Sequence, residues 1–536
     1  MAVLAVLALA GAACGGGDSG DPDSDDTTPT TVGTPQPGGS LTVGIEAESN
    51  GLNPTSSSFA VSGTLMATAV FDTITKFDDN EEPQPYLAEK LDPNDDFTEW
   101  TITLRPGITF HDGTPLTSEA IKATIEAQRS DALVGIAVRP VLADPPVEII
   151  DELTATVKLT RSLPYFPAYV TTQLGMIASP KWLAEAKADP EKNQFPVGTG
   201  PYKMKSRQLN ARTVVERNED YWRDGLPYLD EITFVVSTDA QVRAQSLKAG
   251  DFDIIHTNRD EDIVTFREDD AIQLWEDDSG EETFVMLNTQ AAPFDDVRAR
   301  QVLAHATDRE TMVQLLGSGI TQVANGMFAE GTTFYSDVEF PEFDPERAAE
   351  IAADYCADEP TMCDGDRIKF DYKTTPSADN NEIYETLSEM WSDVVAVKRV
   401  PVEQAAFIQE VALGNYQAVL WRQFGAVDPD SDMLWLDSEN IGVISLNFAR
   451  NVDPEIDEWL DQQRVSLDLE ERQELWAKIS AKLNVDLPYI WLNHTLWGIV
   501  ADRDVHGVEG MSFPDGEPTV REISNGRFEL MELWKE

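Results

Sequence analysis

Positive charge is scarce in this 536-residue sequence: 40 Lys and Arg stand against 96 Asp and Glu, a formal net charge of −56. A surface so acidic repels phosphate backbones and anionic membranes, which argues against a nucleic-acid partner. Its plain meaning is a solvated, salt-tolerant surface, not a site for acidic chemistry. Long apolar runs are also missing. The longest, Ala2 to Ala13, is well short of the roughly 20 residues that cross a bilayer. Histidine is rare and dispersed: His111, His256, His305, His494 and His506 never cluster and never adjoin the cysteine pair Cys356 and Cys363. No metal site is expected from such a set.

Catalytic signatures are missing as well. There is no GxxxxGK(S/T) phosphate loop, HExxH or EF-hand loop. Gly198-Thr199-Gly200 runs into Pro201-Tyr202, which cannot open a dinucleotide-binding helix. Gly17-Asp18-Ser19-Gly20 is similar to a serine-protease nucleophile segment, but it sits in a polar stretch with nothing to hold a base beside it. Neither a catalytic residue nor a cofactor is expected, and the chain is read as a non-enzyme.

What is present is globular: 41% hydrophobic, 25% charged and 9% aromatic residues. At roughly 100–200 residues per domain the length suggests about three domains. The apolar start, ending Gly11-Ala12-Ala13 before Cys14, reads as a secretory leader. It resembles a bacterial lipoprotein signal, with residues 1–13 removed, Cys14 lipidated and 14–38 a flexible tether. Two features depart from that pattern: Gly11 stands where Leu is usual, and no Lys or Arg precedes the run, as a start further upstream would explain. Outside the cytoplasm the remaining pair, Cys356 and Cys363, is expected as a disulfide.

Along the chain, strand and helix patterns alternate. Ser40 to Glu46 has Leu41, Val43 and Ile45 in period two, and Val61 to Phe71 reads as a helix. Trp100, Ile102 and Leu104 alternate, and Pro106-Gly107 predicts a hairpin returning through Ile108 to Phe110. Thr117 is placed as the cap of a helix with Ala120, Ile121 and Ile125 on its buried face. Ile232 to Ser237 is a strand, Asp239 to Ala249 a helix ended by Gly250, and Phe252 to Ile255 a short strand. Asp296 to Thr307 and Asp308 to Leu316 are successive helices. Asp468 with Glu471 has capping-box spacing ahead of an apolar stripe, Leu475, Trp476, Ile479 and Leu483. The class is α/β.

Six segments in order carry a resemblance: Ile102 to Ile121, Phe195 to Lys205 (FPVGTGPYKMK), Arg217 to Phe234, Leu287 to Glu310, Leu413 to Trp421 and Leu467 to His494. Together they are similar to extracellular solute-binding protein family 5, the binding lipoproteins of oligopeptide, dipeptide and nickel ABC importers. The resemblance implies a two-lobed periplasmic-binding-protein-like clamp. Lobe I would comprise 39–79, 195–284 and 496–536; an inserted domain 80–194; and lobe II 285–495. It implies ABC permease and ATPase subunits as partners, an oligopeptide or similar small organic solute as ligand, and export to the outer face of the cell membrane. The membrane is then met through the lipid only, and a monomer is expected. The alternatives are a secreted enzyme or sensor on the same scaffold, or a non-peptide ligand such as an oligosaccharide or metal chelate. The motifs have physical readings too. Gly198, Gly200 and Pro201 suit a backbone crossover, and Asp295 and Asp296 face the positive end of a helix dipole.

For the ligand, the resemblance implies a cleft segment like W-x-x-D-x-x-D-P, whose first Asp pairs with a peptide ammonium. Aligned on Asp428-Pro429, this sequence has Gly425 at that Asp and Arg422 at that Trp, with Trp421 alongside. Arg422 is either salt-bridged on its strand or the bidentate partner of a ligand carboxylate. The second reading favours an anionic or C-terminus-anchored ligand. Trp421 and Phe424 would be apolar walls, and Ser56, Ser57, Ser58 and Phe59 the opposite rim.

Overall fold

The computed structural model describes residues 33–278, 280–521 and 523–536, so the leader, Cys14 and most of the tether lie outside the described residues. The fold spans Gln36–Glu536. Leu41, Val43 and Ile45 form the inner face of strand Ser40–Ile45, which lies central in a seven-stranded sheet. It pairs in parallel with Glu231–Val236 on one side (Leu41 opposite Ile232, Val43 opposite Phe234) and with Ile254–Thr257 on the other. A strand buried by neighbours on both edges needs apolar residues, and these are all but inaccessible. Arg212–Arg217 and Tyr202–Gln208 extend one edge; Trp497–Asp502 and Ile272–Asp277 the other.

A second sheet runs Cys363–Asp364, Arg367–Thr374, Ala418–Gln423, Glu282–Leu287, Tyr489–His494, with Val395–Pro401 parallel to Arg367–Thr374. Its core holds the stripe Trp476, Ile479 and Leu483 of helix Leu469–Asp486. A third, antiparallel sheet joins Ala88–Pro93, Glu99–Leu104, Thr154–Leu159 and Leu142–Ile149 around its own core. Each of these three sheets thus packs on a large apolar core of its own.

Part of the acidic surplus works locally. Asp239, Asp296, Asp308, Asp344, Asp453 and Asp468 each stand at a helix N-cap and accept backbone N–H bonds from the first turn. At Gly198 and Gly200 an added Cβ would collide with the backbone of Val70, and His111 lies 2.9 Å from the Gly200 carbonyl. The glycines are there for close backbone approach. Cys356 and Cys363 are joined in a disulfide, Cα atoms 5.7 Å apart.

Four expectations change. The Glu99–Leu104 strand does not turn back through Ile108 to Phe110; it pairs with Ala88–Pro93 and Thr154–Leu159, and only Thr109 bridges Pro115. The strand before it, returning across residues 94–98, and the distant Thr154–Leu159 take both of its edges. Thr117 occupies the N-cap position, but its hydroxyl accepts no cap bond. At Asp468 the box is half-made: Asp468 accepts from Glu470 and Glu471, while the Glu471 carboxylate takes the Ser466 hydroxyl instead of returning to Asp468. Finally, a lobe boundary at 284/285 would cut strand Glu282–Leu287, which pairs along its whole length in the second sheet.

Candidate functional site

Two chain segments connect the first sheet to the second, one between Asp277 and Glu282 and one between His494 and Trp497. They run side by side: the Thr495 N–H donates to the Glu281 carbonyl (2.7 Å), and the Thr283 and Thr495 hydroxyls lie 3.1 Å apart. Beside them opens a cleft of about 1860 Å³, walled by residues from around all three cores. Its lining holds eleven acidic side chains against six basic ones.

The basic ones are engaged. Arg422 places Nη2 3.1 Å from Glu46 Oε1 and Nε 3.2 Å from Glu281 Oε2, with its guanidinium 5.0 Å from the Trp497 ring. Arg243 donates to the carbonyls of His256 (2.9 Å) and Ser237 (2.6 Å). Arg259 pairs with Asp379 and Glu261. Arg527 donates to Ser524. Lys76 pairs with Glu529, and Arg521 with Glu81. His256 is fixed in one tautomer: Nδ1–H donates to the Gly526 carbonyl (2.8 Å) and Nε2 accepts from the Glu46 N–H (2.9 Å). Burial lowers its pKa to about 4, so the ring is neutral.

One guanidinium thus serves two carboxylates, and it serves them unequally. Burial pushes both up, but the attraction of Arg422 wins at Glu46, which ends below the ordinary range. At Glu281 burial wins and the carboxyl ends above it, with the nearby Glu46 charge adding to the rise. Glu281 Oε2 is itself buried and makes no hydrogen bond, while the side chain as a whole, like that of Glu46, keeps 19% of its surface open.

Three further carboxyls lie at or under the cleft floor. Asp432 accepts from the Ala426 N–H (3.3 Å), and burial raises it to about 7. Asp260 accepts from the Thr321 hydroxyl (2.7 Å) and is raised to about 6, again by burial. Glu282 is wholly buried, with Oε1 3.0 Å from His494 Nδ1. Burial holds the Glu282 carboxyl well above the usual range and the His494 ring down at about 4, so the proton of this pair sits on the glutamate.

A folded-state carboxyl with raised pKa favours folding while protonated, and that contribution is lost as pH rises from about 4 through the folded value. For Asp432 the window is roughly pH 4 to 7. Thermal unfolding stability of Asp432→Asn across pH 5 to 8 is expected to fall less with pH than that of wild type, by at most about 3 kcal/mol, the part of the window that lies between pH 5 and 7. Parallel curves would show that Asp432 is ionised throughout.

Of the residues expected at the ligand, Ser57, Ser58, Phe59, Trp421, Arg422, Phe424, Gly425 and Asp428 line the cleft, and Ser56 does not. Several have other work. Arg422 is the salt-bridged residue, so it offers no free cation to a ligand carboxylate. Asp428 is held bidentately by Arg472 (2.7 and 3.0 Å), whose guanidinium stacks 3.7 Å over Tyr165. Phe424, at φ 72°, is packed among Phe284, Tyr489 and Trp491 and is 4% exposed, which leaves Trp421 as the ring open to the cleft. A Cβ at Gly425 would press on Asn525 and on the Glu281 side chain. The reading from sequence missed Glu46 and Glu281. The only signal was an acidic pair, Glu281-Glu282, opening an otherwise apolar strand. Among the described residues no group of three or more potential ligands could hold a metal ion, and no helix is long and apolar enough to cross a membrane.

Comparison with known proteins places this geometry. The chain is 26% identical over 463 residues to di/tripeptide-binding protein 1 of Pseudomonas aeruginosa, covering 80% of this chain and 84% of that protein. It is 26% identical over 302 residues to the glutathione-binding protein GsiB of Salmonella typhimurium, covering 53% and 56%. Its two-lobed fold matches the periplasmic binding protein DppA of Helicobacter pylori in complex with the peptide STSA, with TM-score 0.81, 18% identity, and 94% and 99% of the two chains covered. It also matches AgaA from A. tumefacien R10, in complex with agropinic acid, at TM-score 0.77, 23% identity, 88% and 94%. The description "Bacterial extracellular solute-binding proteins, family 5 Middle" matches residues 82–442, more than half of the sequence; the chain belongs to that family.

Proposed function

We propose that this protein captures a peptide between its lobes and delivers it to an ABC permease, and that it anchors the peptide's ammonium group at Glu281. The observation that carries this reading is the triad of Arg422, Glu46 and Glu281. Two carboxylates share one guanidinium, so the triad by itself carries a net negative charge; both side chains line the cleft and are equally open to it, and the deficit falls on Glu281, because Arg422 makes its hydrogen bond to Glu46. A ligand cation would complete it, as a buried charge requires. Gly425 leaves the space into which Glu281 reaches; the carboxylate missing at 425 is supplied from the neighbouring strand. The cleft volume exceeds the roughly 300–1,000 Å³ of a drug-sized pocket, which favours an oligopeptide over a dipeptide. The names of the relatives, di/tripeptide- and glutathione-binding, support a peptide as the ligand, though a shorter one. No bond is made or broken; lobe closure about the paired crossover segments is the signal that the permease reads.

A thermal-shift screen of free peptides against their N-acetylated forms, with oligosaccharides and metal chelates alongside, tests the reading. Stabilisation by free peptides alone supports it; stabilisation only by sugars or chelates defeats it. Turnover of any ligand would overturn the non-enzymatic role.

Anchoring through a lipid on Cys14 is part of the proposal, supported by the apolar leader and the polar stretch after it. Cys14→Ser is expected to move the protein from the membrane fraction to the medium, with permease interaction in solution retained. Unchanged fractionation would exclude the anchor.

A further inference from the structure

One wall of the cleft carries four aromatic rings in mutual contact. Phe407, on helix Gln404–Ala412, meets Trp421 at 5.4 Å between centroids; Trp421 meets Phe448 at 5.4 Å; and Phe448 meets Trp435 at 5.1 Å. Ile408, Ile444 and Leu446 continue the surface. Phe407 and Phe448 are nearly buried and back the two half-buried indoles. The Trp421 indole N–H is spent inside the protein, donating to Gln423 Oε1 at 2.8 Å, and Trp435 lies beside the Asp432 carboxyl. What the cleft meets here is mainly ring carbon and aliphatic carbon.

We propose that this wall is a subsite for one large apolar side chain of the ligand, aromatic or branched aliphatic. The inference rests on the peptide reading above and adds a side-chain preference to it. A polar or charged side chain placed here would give up water without a partner, whereas an apolar one gains from burial. The rings pack on one another as a continuous wall, leaving flat faces for stacking rather than a cage around a cation. The spacing also fits. Trp421 pairs with Phe284, three residues from Glu281. At roughly 3.4 Å per residue that is about 10 Å, the reach from an extended peptide's ammonium to its second or third side chain.

The test is isothermal titration with tetra-alanine and its single substitutions by Phe, Leu, Ser and Lys at positions one to three. At one position Phe or Leu is expected to bind roughly ten- to a hundredfold tighter than Ser. Trp435→Ala is expected to shrink that ratio to within about threefold. Ile444→Glu, which puts a charge on the 38%-exposed rim of the wall, is expected to do the same and covers a Trp435 variant that fails to fold. The subsite is overturned if no position favours Phe or Leu, if the ratio survives both substitutions, or if Lys binds better than Phe. Binding of tetra-alanine without any such preference defeats the subsite alone. Failure of every peptide, tetra-alanine included, defeats the peptide reading and the subsite with it.

Discussion

Glu281→Gln is expected to weaken a free peptide by about 2 kcal/mol or more while leaving its N-acetylated form nearly unaffected. The magnitude is that of removing one member of a largely desolvated, charge-assisted pair. Glutamine keeps the shape and removes the charge, so the loss reports the ammonium contact and not packing. The substitution also relieves Glu46 of its competitor for Arg422, so the unliganded protein should be as stable as wild type or more so. Stability and affinity therefore move in different directions, which a simple folding defect cannot produce. Peptide amides supply the opposing arm. Arg422 is fully occupied by Glu46 and Glu281, so amidating the ligand's C-terminus should cost nothing there. If calorimetry shows the reverse, with amides weak and acetylated peptides tight, the ligand is read through its carboxylate and Glu281 has no part in it.

The contrast between Arg422 and Glu281 shows which parts of this molecule are legible from sequence. The strand Ser40–Ile45 and the stripe on Leu469–Asp486 are written in local periodicity, and burial follows the period. The Asp caps at 239, 296, 308 and 468 are written in single residues beside apolar runs. The three sheets are not. Each is assembled from distant strands, as when Ser40–Ile45 lies between Glu231–Val236 and Ile254–Thr257, and only the ordered motifs of the family pointed to them. Local turn chemistry at Pro106-Gly107 misled for the same reason, because the edge of Glu99–Leu104 was already claimed by segments before and after it. At the site, the segment Trp421 to Asp428 is legible, but whether Arg422 is salt-bridged or free for a ligand stays open in the sequence. In a chain so rich in carboxylates, whether an arginine is free depends on who folds next to it, and the partners of Arg422 lie 376 and 141 residues away. The aromatic wall was hidden likewise: Phe407, Trp421, Trp435 and Phe448 sit on a helix, a strand, a short 3-10 turn and a loop, and their separations of 13 or 14 residues place no two of them within one helix or strand period.

Removing the positive charge at Arg464 is expected to destabilise the protein by about 3–5 kcal/mol, the range for leaving a buried charge without its partner. Asp430 has no accessible side-chain surface. It accepts from Gln463 Nε2 (2.5 Å), from Arg464 Nε (3.2 Å) and from the Tyr169 hydroxyl (2.9 Å), and Arg464 Nη2 in turn donates to that hydroxyl (3.2 Å). Tyr169 belongs to the core of the small antiparallel sheet, whereas Asp430 and Arg464 come from the region around the second sheet. The network therefore ties two of the three cores together, directly beneath cleft residues Ser431 and Asp432. Tyr169→Phe removes a neutral hydroxyl that donates to Asp430 and accepts from Arg464, and should cost about 1–3 kcal/mol. Arg464→Met is the severe variant, because methionine fills the volume but leaves the wholly buried Asp430 carboxyl without its cationic partner. Adding Asp430→Asn should restore much of the loss, since a buried pair removed as a pair is often close to neutral. Urea denaturation of the two single variants and the double gives the coupling. If Arg464→Met unfolds like wild type, or the double variant loses the sum of both single losses, the charges are solvated in solution and the tie between the cores is not made by this network.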